Sequence, residues 1–244
     1  MTLCNARDLI GTGAAMIDPT LAPVVKDASK AAFDLIKLVG GPAAEELGLF
    51  FRDKVREWRQ DNAVRVAIKT QERLAKAGIA PKAIPARLLI PLIDGASTED
   101  DPTLSDMWAG LLASAAGGLP PDQVLPNFAQ ILKSLSPLEA KVLDLMYQNE
   151  RKGGTLTGFD GAEISRAWTL KTEICEQFHL PEFQFNLVID NLIAIGVAQN
   201  GARLFGSTRM EHADRQEVGL TTLGTAFVAA CNMDSVTIDV QPSK

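Results

Sequence analysis

Apolar and polar positions alternate with a helical period from the first clear stripe onward. Over residues 23–39, Val24, Val25, Ala28, Ala32, Leu35 and Val39 fall on one face, and Lys26, Asp27, Lys30, Asp34 and Lys37 lie mostly away from it. Gly40-Gly41 stops this helix and Pro42 opens the next, predicted over residues 42–77 and ending before Gly78. Leu47, Phe51, Val55 and Trp58 recur at steps of four, four and three, as a buried helix face requires. Pro81, Pro85 and Pro91 predict that residues 79–91 are broken or only briefly helical, with Leu88, Leu89, Ile90, Leu92 and Ile93 buried. Asp101-Pro102 reads as an N-cap and first helical residue. The clearest amphipathic stripe comes after it: Leu104, Met107, Trp108, Leu111, Leu112 and Ala115. Gly117-Gly118 ends that helix, and Pro120-Pro121 guards the exit.

Phe128, Ile131, Leu132 and Leu135 mark a short helix, and Ser136-Pro137-Leu138-Glu139 is a capping box with Pro at the first helical position. It predicts a helix through Tyr147 that buries Leu138, Val142, Leu145 and Met146. Beyond it the character changes. Gly153-Gly154 makes a loop, and Asp160 with Glu163 predicts a capped helix to about Leu170. A further helix over residues 181–195 buries Phe185, Val188, Ile189 and Leu192. Strand signals enter late. Asn200-Gly201, between residues 197–199 and 202–204, reads as a type I′ hairpin turn. A strand is predicted at residues 216–220, a last helix at 222–231, and a frayed tail from Asn232.

Three helices, a hairpin and a closing helix follow the winged-helix order. The expected architecture is therefore mainly α. An N-terminal segment (1–22) precedes a helical domain (23–133), a winged-helix-like domain (134–231) with a small antiparallel hairpin or wing, and a flexible tail (232–244). With 244 residues and 46% hydrophobic side chains, the chain has material for such cores and is not a disordered one. It shows no internal repeat, no secretory signal and no uncharged run long enough to span a bilayer, so a soluble cytoplasmic protein is expected.

Charge narrows the function. The formal net charge of −6 argues against broad nucleic-acid binding driven by counterion release. A recognition helix presents Arg, Lys, Asn or Gln to base edges. The predicted helix 181–195 offers Glu182, Gln184, Asn186, Asp190 and Asn191, with no Lys or Arg. The wing supplies Arg203, Arg209 and Arg215 as candidates, with Glu211, Asp214 and Glu217 among them. The other cationic candidates are Arg52, Arg56 and Arg59 on one face of the helix 42–77, where an anion or a partner subunit can bridge them. Asp53, Glu57 and Asp61 interleave at ion-pair spacing, which favours a salt-bridged face.

Catalytic and metal signatures are weak. Cys175 and His179 lie four apart and Cys231 is the third group within a possible site, but nothing supplies a CxxC pair or a fourth ligand. The acids Glu99, Asp100, Asp101 and Asp106 sit where a helix N-terminus favours carboxylates. Gly11-Thr12-Gly13 lacks the third glycine of a dinucleotide loop, since position 16 is Met16. No Walker sequence, HExxH or GxSxG occurs, and neither His179 nor His212 pairs with a nucleophile. No enzyme activity, metal or cofactor is expected.

Three stretches carry a resemblance. The first is Gly41-Pro42-Ala43-Ala44-Glu45-Glu46-Leu47-Gly48 with Arg52-Asp53-Lys54-Val55-Arg56-Glu57-Trp58-Arg59. The second runs from Gly95-Ala96-Ser97 through Glu99-Asp100-Asp101-Pro102 to Met107-Trp108-Ala109-Gly110-Leu111-Leu112-Ala113. The third is Ile131-Leu132 with Leu135-Ser136-Pro137-Leu138-Glu139-Ala140. Together, over roughly residues 35–145, the chain resembles the bacterial Abi-alpha family, departing from it at Gly110, where the family has Asn. The resemblance implies a role in abortive infection, the defence in which an infected bacterium stops growing or dies before phage spreads. It brings no catalytic residues. The expected function is a non-enzymatic interaction protein of antiphage defence that acts as a homo-oligomer or through a protein partner. The alternatives are a winged-helix transcriptional regulator that binds DNA, and a membrane-acting effector that inserts the amphipathic segment 24–51.

Overall fold

The computed structural model describes residues 34–35, 37–40, 56–118, 123–153, 155–157, 163–165, 168–201 and 217–233. It is mostly helical, with a small three-stranded antiparallel sheet. Of the helix predicted at 23–39, only residues 34–35 and 37–39 are described; they are helical, with Leu35 and Val39 buried. The tail beyond Met233 lies outside the described residues. No helix among the described residues is long and apolar enough to cross a membrane.

Helix α1 (Arg56–Lys76) buries Ala63, Val66, Ala67, Thr70 and Leu74 along one face. It ends as its sequence predicts. Gly78 adopts a left-handed φ of 66°, its N–H donates to Ala75 O at 3.1 Å, and Ile79 N–H donates to Leu74 O at 2.9 Å. Only glycine enters that conformation without strain, and the two bonds satisfy carbonyls the helix end leaves open. Trp58 departs from expectation: it is 46% exposed. The rest of its predicted stripe, Leu47, Phe51 and Val55, lies outside the described residues.

Helix α2 (Ala86–Ser97) corrects the proline reading, because it passes through Pro91 unbroken. Its start is anchored by Leu88 and Leu89 N–H groups donating to Pro85 O. Leu88, Leu89, Leu92, Ile93 and Ala96 fill one face of the core. Burial of that face outweighs the lost bond and crowding of an interior proline, a cost of about 3 kcal/mol. The same periodicity turns Ile90 outward, against the expectation that it buries.

Helix α3 (Pro102–Ala113) is the centre of the molecule, and α1, α2 and later helices all pack on it. Asp101 Oδ1 accepts from the N–H groups of Thr103 at 2.8 Å and Leu104 at 3.1 Å, as an N-cap does. Of the predicted stripe, Leu104, Met107, Trp108, Leu111 and Leu112 are buried and Ala115, beyond the helix, is half-buried; the opposite face of Ser105, Ala109, Gly110 and Ala113 is buried too. A helix buried on two opposite faces belongs in an interior. The Trp108 indole fills the space a side chain at Gly95 requires, since a Cβ there falls 2.2 Å from Cη2. A π-helical turn, Ser114–Gly118, closes the element at Gly117.

Helix α4 (Phe128–Lys133) precedes α5 (Pro137–Lys152), with residues 134–136 between them. The capping box is formed in full. Ser136 Oγ accepts from Glu139 N–H at 3.3 Å, and Ser136 N–H donates to Glu139 Oε2 at 2.6 Å. α5 continues past Tyr147 to Lys152 and buries Asn149, which donates to Thr169 Oγ1 and Glu173 Oε1.

The next segment overturns a helix prediction. Residues 163–170 hold strands β2 (Glu163–Ser165) and β3 (Trp168–Leu170); β2 pairs with β1 (Thr155–Thr157). The apparent cap at Asp160 misleads because Ile164, Trp168 and Thr169, residue types that suit a pleated surface, come after it. The helix begins later, as α6 (Lys171–Phe178), and α7 (Glu182–Ile195) matches the predicted third helix. β4 (Ala198–Asn200) and β5 (Glu217–Leu220) complete a sheet in the order β3-β5-β4.

Asn200 does not turn a tight hairpin. It pairs with Val218, and Gly201 N–H donates to Glu217 O at 2.9 Å, so the ladder continues through the presumed turn residues. Burial of Val218, Leu220 and Ala198 sets that register, which a two-residue turn signal does not outweigh. Residues 202–204, the predicted return strand, lie outside the described residues.

Helix α8 (Thr222–Asn232) is capped by Thr221, whose Oγ1 accepts from Gly224 N–H at 3.0 Å. It packs on α3 and α5, and Phe227 meets Phe128 edge-on at 5.6 Å. One continuous core thus runs from Leu35 to Cys231.

Candidate functional site

The predicted arginine face is placed in part. Arg52 lies outside the described residues, and Arg56 is the first residue of α1 with no side-chain description. Arg59 is committed to the protein itself. Its Nη2 donates to Asp94 Oδ1 at 2.6 Å and to Ser97 Oγ at 2.9 Å, and its Nε donates to Ser97 Oγ at 3.0 Å. Asp94 Oδ2 accepts from Lys133 Nζ at 2.5 Å, and Ser97 Oγ donates back to Asp94 O at 2.8 Å. One carboxylate therefore ties α1, α2 and α4 together. Partial burial alone would raise the Asp94 carboxyl; the hydrogen bonds and charges of Lys133 and Arg59 outweigh it and hold it below its ordinary 3.8. The sequence named Asp53, Glu57 and Asp61 as neutralisers; Asp53 and the Glu57 side chain lie outside what is described, and an acid the sequence did not name, Asp94 of the neighbouring helix, meets Arg59.

The wing arginines Arg203, Arg209 and Arg215 lie outside the described residues. The remaining candidates resolve into local structure. Asp101 caps α3, Glu99 Oε1 accepts from Asp101 N–H at 2.9 Å, and Asp106 pairs with Lys69 at 2.7 Å. Cys175 is half-buried on α6 and His179 is its exposed left-handed C-cap. Cys231 is fully buried on α8, and burial pushes its thiol far above the ordinary range. Burial raises Cys175 as well, so both thiols are protonated and weakly nucleophilic near neutral pH. Among the described residues no group of three His, Cys, Asp or Glu side chains is arranged to hold a metal ion.

The feature with a surface and a chemistry is α7. At 100° per residue, Phe185, Val188, Ile189 and Leu192 face the core, which sets Phe183 and Leu187 on the opposite side. There Phe183 is 76% exposed and Leu187 59%. The helix is held firmly behind them. Asn191 Nδ2 donates to the buried Glu139 Oε1 at 2.7 Å, joining α7 to the capping box of α5. Lys171 Nζ pairs with Glu182 at 2.7 Å and lies 5.7 Å from the Phe185 ring centroid. The exposed pair was readable in the sequence: two large apolar side chains one turn apart, outside the core stripe.

No curated protein and no solved structure matches the chain. The family model for abortive infection alpha does match, over residues 61–231. That span contains the second and third stretches of the resemblance and runs on to residue 231, but it begins after the first, 41–59; it takes in α2–α7 and nearly all of α1 and α8. It covers more than half of the 244 residues, and the chain therefore belongs to the abortive infection alpha family.

Proposed function

We propose that this protein is a non-enzymatic interaction protein of bacterial antiphage defence that acts in the cytoplasm through the outer face of α7. Family membership supplies the link to abortive infection. The observation that carries the mechanism is the pair Phe183 and Leu187, both more than half exposed on a helix with no Lys or Arg. Scattered exposed apolar residues are ordinary. Two large ones stacked one turn apart on a rigidly held helix form a contact patch for a protein, either a second copy or another partner. The double substitution Phe183→Asp with Leu187→Asp tests this. Phage protection in infected cells and association by light scattering or pull-down should both fall, with the circular dichroism spectrum unchanged. Full protection by the folded variant would refute the reading.

A second reading has its own support. After α5 and the β1–β2 pair, β3, α6, α7, β4 and β5 run strand–helix–helix–strand–strand, with the last strand between the other two. That order favours a winged-helix-like unit over residues 134–231, following a helical unit over 23–133, and with it a DNA-binding regulator. The helix that would enter the major groove is α7, whose side chains lack the cations that contact phosphates and guanines. Duplex DNA should therefore bind no tighter than the non-specific range of about 10⁻⁴ to 10⁻⁶ M at physiological salt. A sequence-specific nanomolar shift in a mobility assay would reverse the order of the two readings.

A further inference from the structure

A cleft of about 560 Å³ opens where five helices meet, walled by the end of α1, the first turns of α3, the outer face of α5, the end of α6 and the end of α8. Its size lies within the range of small-molecule sites. Met107, Leu145 and Val228 form its apolar lining, and Phe178 adds an aromatic wall.

Four charged side chains line it, and their partners are unequal. Asp106 is paired with Lys69 at 2.7 Å. Asp144 is held by two amides, Gln148 Nε2 donating to Oδ2 at 2.7 Å and Asn232 Nδ2 to Oδ1 at 3.3 Å. Among the described residues neither cation has a carboxylate partner. Arg73 spends one N–H on the Cys231 carbonyl at 3.2 Å, out of the five its guanidinium carries. Lys141 makes no ion pair among the described residues and is exposed. Both carboxylates thus have bonded oxygens, Asp106 by a cation and Asp144 by amides, while both cations retain unused N–H donors, so the unmet hydrogen-bonding capacity inside the cleft is cationic and suits an anion.

We infer that this cleft binds a small organic anion of roughly mononucleotide size, its phosphate or carboxylate held by Arg73 and Lys141 and its neutral part against Phe178 and the apolar lining. Such a ligand bridges α1 and α3 on one side and α5, α6 and α8 on the other. The site is separate from the α7 surface and does not rest on its role.

Isothermal titration calorimetry of the full chain at fixed ionic strength tests it, with AMP as the phosphate probe, citrate as the carboxylate probe and adenosine as the uncharged control. AMP or citrate should bind in the millimolar range or tighter, and adenosine should bind detectably more weakly than AMP. Binding of AMP alone assigns a phosphate site, and of citrate alone a carboxylate site. Lys141→Glu changes an exposed side chain and should leave the fold intact while weakening binding about tenfold or more, the worth of a hydrogen bond to a charged group. Arg73→Gln should act in the same direction; if it fails to fold, Lys141→Glu decides alone. The inference is overturned if neither anion binds, if adenosine binds as well as AMP, or if Lys141→Glu binds as the wild type does.

Discussion

At Gly110 the absence of a side chain determines how two helices meet. A Cβ at that position would fall 1.5 Å from the Cys231 carbonyl oxygen and 2.8 Å from the Arg73 Nη1, so α8 rests directly on the α3 backbone. The carbonyl is backbone and has no rotamer through which to retreat. Gly110→Ala should therefore destabilise the protein despite the better helix propensity of alanine, by about 1–3 kcal/mol as in other overpacked cores. Denaturant unfolding checks it, and an unchanged or raised midpoint would show that α8 shifts freely. Nothing around Gly110 in the sequence gives a sign of the contact, because the carbonyl that fills the space lies far along the chain. The exposed pair Phe183 and Leu187 was legible for the opposite reason: the core stripe and the residues that face away from it lie within one helix.

Among elements, the signals that depend on neighbouring residues were the ones that held. Asp101-Pro102 and Ser136–Glu139 start helices because the cap and the amides it satisfies lie within three positions of each other. Pro91, Asp160 and Asn200-Gly201 misled because tertiary burial decided each case: a core face carried α2 through its proline, and the sheet drew Asn200 into a ladder. The tie between elements at Asp94 was equally invisible, since Arg59, Asp94 and Lys133 come from three helices. It makes a prediction about acid. Asp94 titrates below 3.8 in the folded state, so its contribution is fully present above that pH and is lost as pH falls through the lower folded value. Asp94→Asn should be less stable than wild type at pH 6, and the gap should narrow once the pH is taken below 3.8. Urea unfolding midpoints at the two pH values measure it. A gap that stays constant would mean that the charge of Asp94 plays no part in the tie.

Over the whole molecule, mainly helical architecture was readable from periodicity alone, whereas the cleft was not, because its wall is assembled from five separate helices. The closing helix shows how far apart the joined parts are. Arg73 meets Cys231 across 158 positions and Ser114 Oγ donates to Ala230 O at 2.6 Å across 116. Removing the segment from Thr222 onward should therefore unfold the core around α3 and not merely shorten the C-terminal half. Loss of the near-ultraviolet circular dichroism signal of buried Trp108 would report it, and a truncated chain with native spectra would contradict it. The same long span has a consequence for synthesis on the ribosome. Nascent chains that have released α3 but not α8 leave Ala109, Gly110 and Ala113 bare to solvent, so the fold can close only after translation has passed Cys231. A stalled or cleaved nascent chain would then present the groove meant for its own last helix, making the timing of elongation a determinant of how much of this protein escapes aggregation.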